Sequence, residues 1–131
     1  MNEKGELMGS DKKMQLRNAV VPWLATIGYM SLIFLLSSMQ LQIPSQLPEY
    51  SDKLVHALIY MPLAFLFFVS LRKSGLNKYI LLISFLLAGI YGITDELHQS
   101  CVPGRDAAVA DAVADFFGAI IGSFGASRVK F

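Results

Sequence analysis

From residue 18 to residue 48 the chain carries no charged residue. Within that stretch, 19–39 is apolar for long enough to cross a bilayer, because about 20 helical residues at about 1.5 Å each span the hydrocarbon. Three further apolar runs follow, at 54–71, about 77–96 and 107–126. A chain of 131 residues with four such runs has little left from which to build a water-soluble core. Composition agrees: only 16% of residues are charged, against about 25% in an ordinary soluble domain. Inside lipid every backbone polar group must be satisfied within the segment, which makes helices of these runs. The fold class is therefore an all-α integral membrane protein with four transmembrane helices.

The connections divide the chain. Residues 1–18 are polar and mixed in sign and read as a solvated tail, 19–126 as the membrane domain, and 127–131 as a short second tail. The first run is too long for a signal-peptide core and has no small-x-small cleavage pattern, so it is expected to stay as a span. Pro22 suits a first turn and Trp23 the interface. Residues 40–51, with Pro44 and Pro48, read as a loop. Ser51 reads as the N-cap of the second span, and Pro62 is expected to kink it. Arg72, Lys73, Ser74 and Gly75 form a basic turn, and Pro103-Gly104 a second turn before the fourth span.

Basic residues orient the bundle. The N-terminal tail holds four Lys/Arg, the turn between the second and third spans three, and the C-terminal tail two. The other two connections hold only Lys53 and Arg105. By the positive-inside rule both termini are cytoplasmic and the two basic-poor connections face outward. The unusual polar residues then converge on one leaflet. Asp52, Lys53 and His56 fall at the start of span two, and Asp95, Glu96 and Gln99 at the end of span three. Arg105, Asp106, Asp111 and Asp115 lead into span four. Asp52, His56 and Tyr60 share a helix face at four-residue spacing, and so do Asp111, Asp115, Gly118 and Gly122, give or take one position. Span one adds only Ser37 and Ser38 at that level.

The fourth span is marginal alone. Asp115 would lie about 12 Å along it by helix rise, where a charged side chain costs about 2.5–3.5 kcal/mol near the helix centre and each large apolar residue returns only about 0.3–0.6. It is expected to enter by packing its Asp-and-Gly face on the other helices, with Gly118 and Gly122 allowing close approach. Six carboxylates (Asp52, Asp95, Glu96, Asp106, Asp111, Asp115) face Lys53, Arg105 and the two histidines. An acid excess in low dielectric favours protonation of some members or capture of a cation.

Taken in order, D-K-x-x-H (Asp52, Lys53, His56), D-E-x-x-Q (Asp95, Glu96, Gln99), P-G-R (Pro103, Gly104, Arg105) and D-x-x-x-D-x-x-G (Asp111, Asp115, Gly118) resemble the VanZ-like family. These are small bacterial membrane proteins named after an accessory teicoplanin-resistance protein. The resemblance covers residues 20–126. One position departs from it: the family usually has Asn where this chain has Asp115.

The resemblance implies a multi-pass protein of the bacterial plasma membrane, with its polar site on the extracytoplasmic side. It implies a binding or protective role toward a membrane lipid or lipid-linked envelope component, or toward a lipoglycopeptide antibiotic of the teicoplanin type. The binding candidates are Asp52, Lys53, His56, Asp95, Glu96, Gln99, Arg105, Asp111 and Asp115. The alternative is a small membrane hydrolase or transferase using His56 or Glu96 as base and Arg105 as anion clamp. No Ser-His-Asp or His-x-x-x-His spacing supports that alternative. Against both stands the plainer reading of an ion-pair network that only fixes the helix ends. No cofactor is required, and a divalent metal is the one candidate. A net charge of +1 points to no nucleic acid. A homo-oligomer is compatible with the pattern. His98 is expected at the surface, and Cys101 as a spectator thiol that excludes any internal disulfide.

Overall fold

A computed structural model of the chain describes residues 3–39, 46–48, 50–104 and 107–131. Among them are four helices: α1 (Glu3–Ser38), α2 (Ser51–Lys73), α3 (Ile80–Ser100) and α4 (Val109–Ser127). Each is long and apolar enough to cross a membrane, and the described residues form no strand. Arg105, Asp106 and most of the 40–51 connection lie outside the described residues.

Several boundaries differ from the sequence reading. Residues 3–18, read as a solvated tail, are helical, form the first half of α1 and are exposed throughout. That segment is rich in Glu, Lys, Leu and Met, good helix formers that carry the helix through Gly5 and Gly9, and no proline precedes Pro22. At 36 residues α1 is about 54 Å long, well beyond the hydrocarbon thickness. Its Gln15 stands against Gly75 in the α2–α3 turn. Ser51 is the first residue of α2 rather than its cap; Tyr50 holds the cap position without a side-chain bond. Helix α3 starts at Ile80, three residues later than expected, because Tyr79 adopts a left-handed φ of 58° that a helix cannot continue through. It then runs on to Ser100 and takes Gln99 into the helix.

The spanning part of the bundle is apolar outside and mixed inside. Val21, Leu24, Ile90 and Phe117 are exposed, while among the described residues eleven polar or charged side chains are buried beside eleven hydrophobic ones. A water-soluble fold of this size hides its leucines and leaves its carboxylates out; here lipid replaces water as the outer solvent. The helices alternate in direction. Helix α2 is central and packs on all three others, and α1 and α4 share no contact.

The tightest seam joins α2 and α4. A Cβ added at Gly118 would stand 2.0 Å from the Ala57 carbonyl oxygen, and one at Gly122 would stand 2.0 Å from that of Met61. Only glycine permits that approach, as expected of small residues in membrane interfaces. On the neighbouring face, Gly89 and Gly92 of α3 make room for Phe116 and Asp115 of α4. Toward the other end, hydroxyl pairs cross the core: Thr26 with Ser70 at 2.8 Å and Ser84 with Ser123 at 2.9 Å.

Candidate functional site

The residues singled out by spacing come together at one end of the bundle. His56 is the hub. One turn into α2, it lies on the same face as Asp52 and Tyr60, and the Gly118–Ala57 contact next to it presses α4 close. Its Nδ1 is 2.9 Å from Asp115 Oδ1 and 3.7 Å from Glu96 Oε1. Its Nε2 is 3.9 Å from Asp52 Oδ1 and 3.8 Å from Asp111 Oδ2. Three helices thus bring four carboxylates to one imidazole. His56, Glu96, Asp111 and Asp115 are buried, and Asp52 is half-exposed.

Lys53 closes one side. Its Nζ binds Asp52 Oδ2 at 3.1 Å and Asp111 Oδ1 at 2.5 Å, tying the first turn of α2 to the first turn of α4. Glu96 is fixed from behind, since the Ala108 backbone N–H donates to its Oε2 at 3.2 Å. On α3, Gln99 donates to Asp95 at 3.2 Å, four residues apart as the spacing requires. A buried charge is tolerated when paired and hydrogen-bonded, and most of these are. The exceptions are Glu96 Oε1 and Asp115 Oδ2, which are buried without a hydrogen-bond partner among the described residues.

A cavity of about 120 Å³ opens beside His56, between α1, α2 and α3. Ser37, Asp52, His56, Asp95 and Gln99 form its polar wall, and Ile33, Leu36, Val55 and Ile59 its apolar one. It has room for several waters or a small polar group. Two groups of three side chains have ligand atoms close enough to hold one metal ion, Asp52–His56–Asp111 and His56–Glu96–Asp115, and they share the histidine.

Of the nine binding candidates, Asp52, Lys53, His56, Glu96, Asp111 and Asp115 form this one contact set. Asp95 and Gln99 border it through the cavity, and Arg105 lies outside the described residues. Two residues outside the nine candidates also belong to the site. Ser37, buried with a hydroxyl that has no partner among the described residues, lines the cavity, and Tyr60 is buried on the same wall beside Asp95. Spacing places Tyr60 on the Asp52–His56 face, and Ser37 is one of two serines at the otherwise apolar end of the first span. His98, read as a surface residue, is partly covered: it stacks on Phe34 at 4.6 Å and shares a 2.9 Å bond with Ser38. It therefore ties α1 to α3. Cys101 is a free, exposed thiol.

A polytopic four-helix bundle with an inward-facing carboxylate–histidine cluster defines the class: a small multi-pass membrane protein. The family model VanZ/LLP1 matches residues 21–130, nearly the whole chain, and the protein belongs to that family. Comparison with curated proteins and with solved structures yields no match.

Proposed function

We propose that this protein binds a lipid-linked component of the bacterial cell envelope at the polar end of its bundle, and thereby lowers susceptibility to teicoplanin-type lipoglycopeptides. The cavity between α1, α2 and α3 carries this reading. It sets an acidic, hydrogen-bonding wall against an apolar one at the level of the helix ends, which suits a ligand that is polar at one end and lipidic at the other. The nine-to-two distribution of Lys and Arg supports an extracytoplasmic position for that end in the plasma membrane. The family supplies the antibiotic setting, through its resemblance to accessory teicoplanin-resistance proteins.

Ser37→Leu tests the reading, because it fills the cavity and breaks no side-chain hydrogen bond of Ser37. In a susceptible bacterial host the wild-type gene lowers teicoplanin susceptibility. The variant, present in the membrane at normal level, returns susceptibility to that of the empty vector. Unchanged protection by Ser37→Leu would remove the cavity from the function. Sidedness has its own test: Cys101 reacts with a membrane-impermeant maleimide on intact cells if the polar end faces outward.

The 2.9 Å bond between His56 and Asp115 supports a second reading, a hydrolase or transferase in which Asp115 orients His56 as a general base. Turnover of a lipid-linked phosphoester by the purified protein, lost in His56→Gln, distinguishes it from binding alone.

A further inference from the structure

The two nitrogens of His56 stand in unlike surroundings. Beside Nε2, Asp52 and Asp111 are already bridged by the Lys53 ammonium. Beside Nδ1, Asp115 and Glu96 have no Lys or Arg partner among the described residues. Glu96 is held by its Oε2 on the Ala108 N–H, which leaves Oε1 buried, without a hydrogen-bond partner among the described residues, 3.7 Å from Nδ1. Only 6% of Glu96 and none of Asp115 is exposed. A buried carboxylate oxygen with nothing to bind is a rare and costly feature.

The spacing fits an ion. Ligands about 2.0–2.2 Å from a common metal stand about 3–3.5 Å from one another, and the distances of 2.9 and 3.7 Å from Nδ1 bracket that range. One ligand atom from each of His56, Glu96 and Asp115 lies within 4.8 Å of the other two. Charge fits as well, since a neutral imidazole with two carboxylates carries the −2 that a divalent ion cancels. The donor set of one imidazole nitrogen and two carboxylate oxygens suits zinc or manganese better than magnesium or calcium, which prefer all-oxygen shells. With Nδ1 on the metal, the proton sits on Nε2 and points toward Asp52 and Asp111, the carboxylate backing common among metal-bound histidines.

We propose that His56 Nδ1, Glu96 Oε1 and Asp115 Oδ1 bind one divalent transition-metal ion, Zn²⁺ or Mn²⁺, bridging α2, α3 and α4. Three protein ligands leave the ion a coordination position for water or a ligand oxygen. The site needs no envelope ligand to fill, so its test is separate from that of the cavity, and Ser37→Leu leaves it intact.

Full-length protein carrying His98→Gln, so that His56 is the sole histidine, is purified in detergent, loaded with Zn²⁺ or Mn²⁺ and dialysed. One bound ion per chain is expected by elemental analysis. His56→Gln and Asp115→Asn each weaken binding by more than about tenfold, while circular dichroism and monodispersity stay unchanged. Zinc-edge absorption of the His98→Gln protein shows one imidazole in the first shell, which ties the ion to His56 even if those variants misfold. Retention of the ion by Asp52→Asn separates this site from the Asp52–His56–Asp111 group. Absence of a stoichiometric ion, retention of it by both variants, or a first shell lacking imidazole would overturn the proposal.

Discussion

The α2–α4 seam and the α1 edge sit in the same bundle but are held by different physics. Along the seam, Gly118 and Gly122 bring the backbones of two helices into contact, and the same approach delivers Asp115 to His56 and Asp111 to Lys53. Helix α1 makes no such approach. It buries only Ala19, Thr26, Ile33 and Ser37, and is fastened by separate polar contacts spaced along its length. Trp23 donates to Ser74 at 2.9 Å, Tyr29 to the Ile59 carbonyl at 2.8 Å, and Ser38 meets His98. Tyr91 of α3 donates back to the Met30 carbonyl at 2.7 Å. Helix α2 runs unbroken through Pro62, and the Tyr29 bond joins α1 to it one residue from Leu58, whose carbonyl has no helical donor at Pro62. The seam is built to hold charge in a fixed geometry. The edge is built from interactions that can be lost one at a time, and the cavity lies between the two.

That contrast can be broken most severely at the hub. His56→Ala leaves Asp115 fully buried without its partner, a loss expected at about 3–5 kcal/mol in SDS-induced unfolding. Replacing both by leucine removes the charge together with its partner, and should recover most of that stability while abolishing function. A double variant no more stable than His56→Ala would show that the pair is not the unit that matters. Next in size is the seam backbone. Gly118→Ala must push α4 from the Ala57 carbonyl and is expected to cost about 1–3 kcal/mol by the same measurement. At the edge the effects shrink. A double-mutant cycle of Thr26→Val and Ser70→Ala should give a coupling near 0.6 kcal/mol, typical of hydrogen bonds between membrane helices. Smallest is Gly28→Ala in α1, where an added Cβ has nothing within 4 Å. It should be neutral or stabilising by up to about 1 kcal/mol through helix propensity. Destabilisation there would mean that this face of α1 is packed against something in the membrane.

Much of this was legible in the chain. The four spans follow from runs of apolar residues, a signal that depends on composition alone. The Asp52–His56–Tyr60 and Asp111–Asp115–Gly118–Gly122 faces follow from helical period, which is local geometry. The helical state of residues 3–18 is not announced by any apolar periodicity, because the segment is polar on all sides and exposed throughout. The late start of α3 was missed because the left-handed turn at Tyr79 has no glycine to announce it. The α1–α3 clamp through His98 was missed because nothing in the sequence says which residue a surface histidine will meet.

The sequence by itself determined that the chain spans a membrane four times and that its polar residues gather near one set of helix ends, because length, apolarity and period are properties of single segments. Only the tertiary structure decided which carboxylate faces which nitrogen of His56, that Lys53 neutralises one side and leaves the other, and that a cavity opens toward α1. Those depend on how far each helix is rotated and how closely its neighbour approaches, and both were set between helices by Gly118, Gly122 and Gly92.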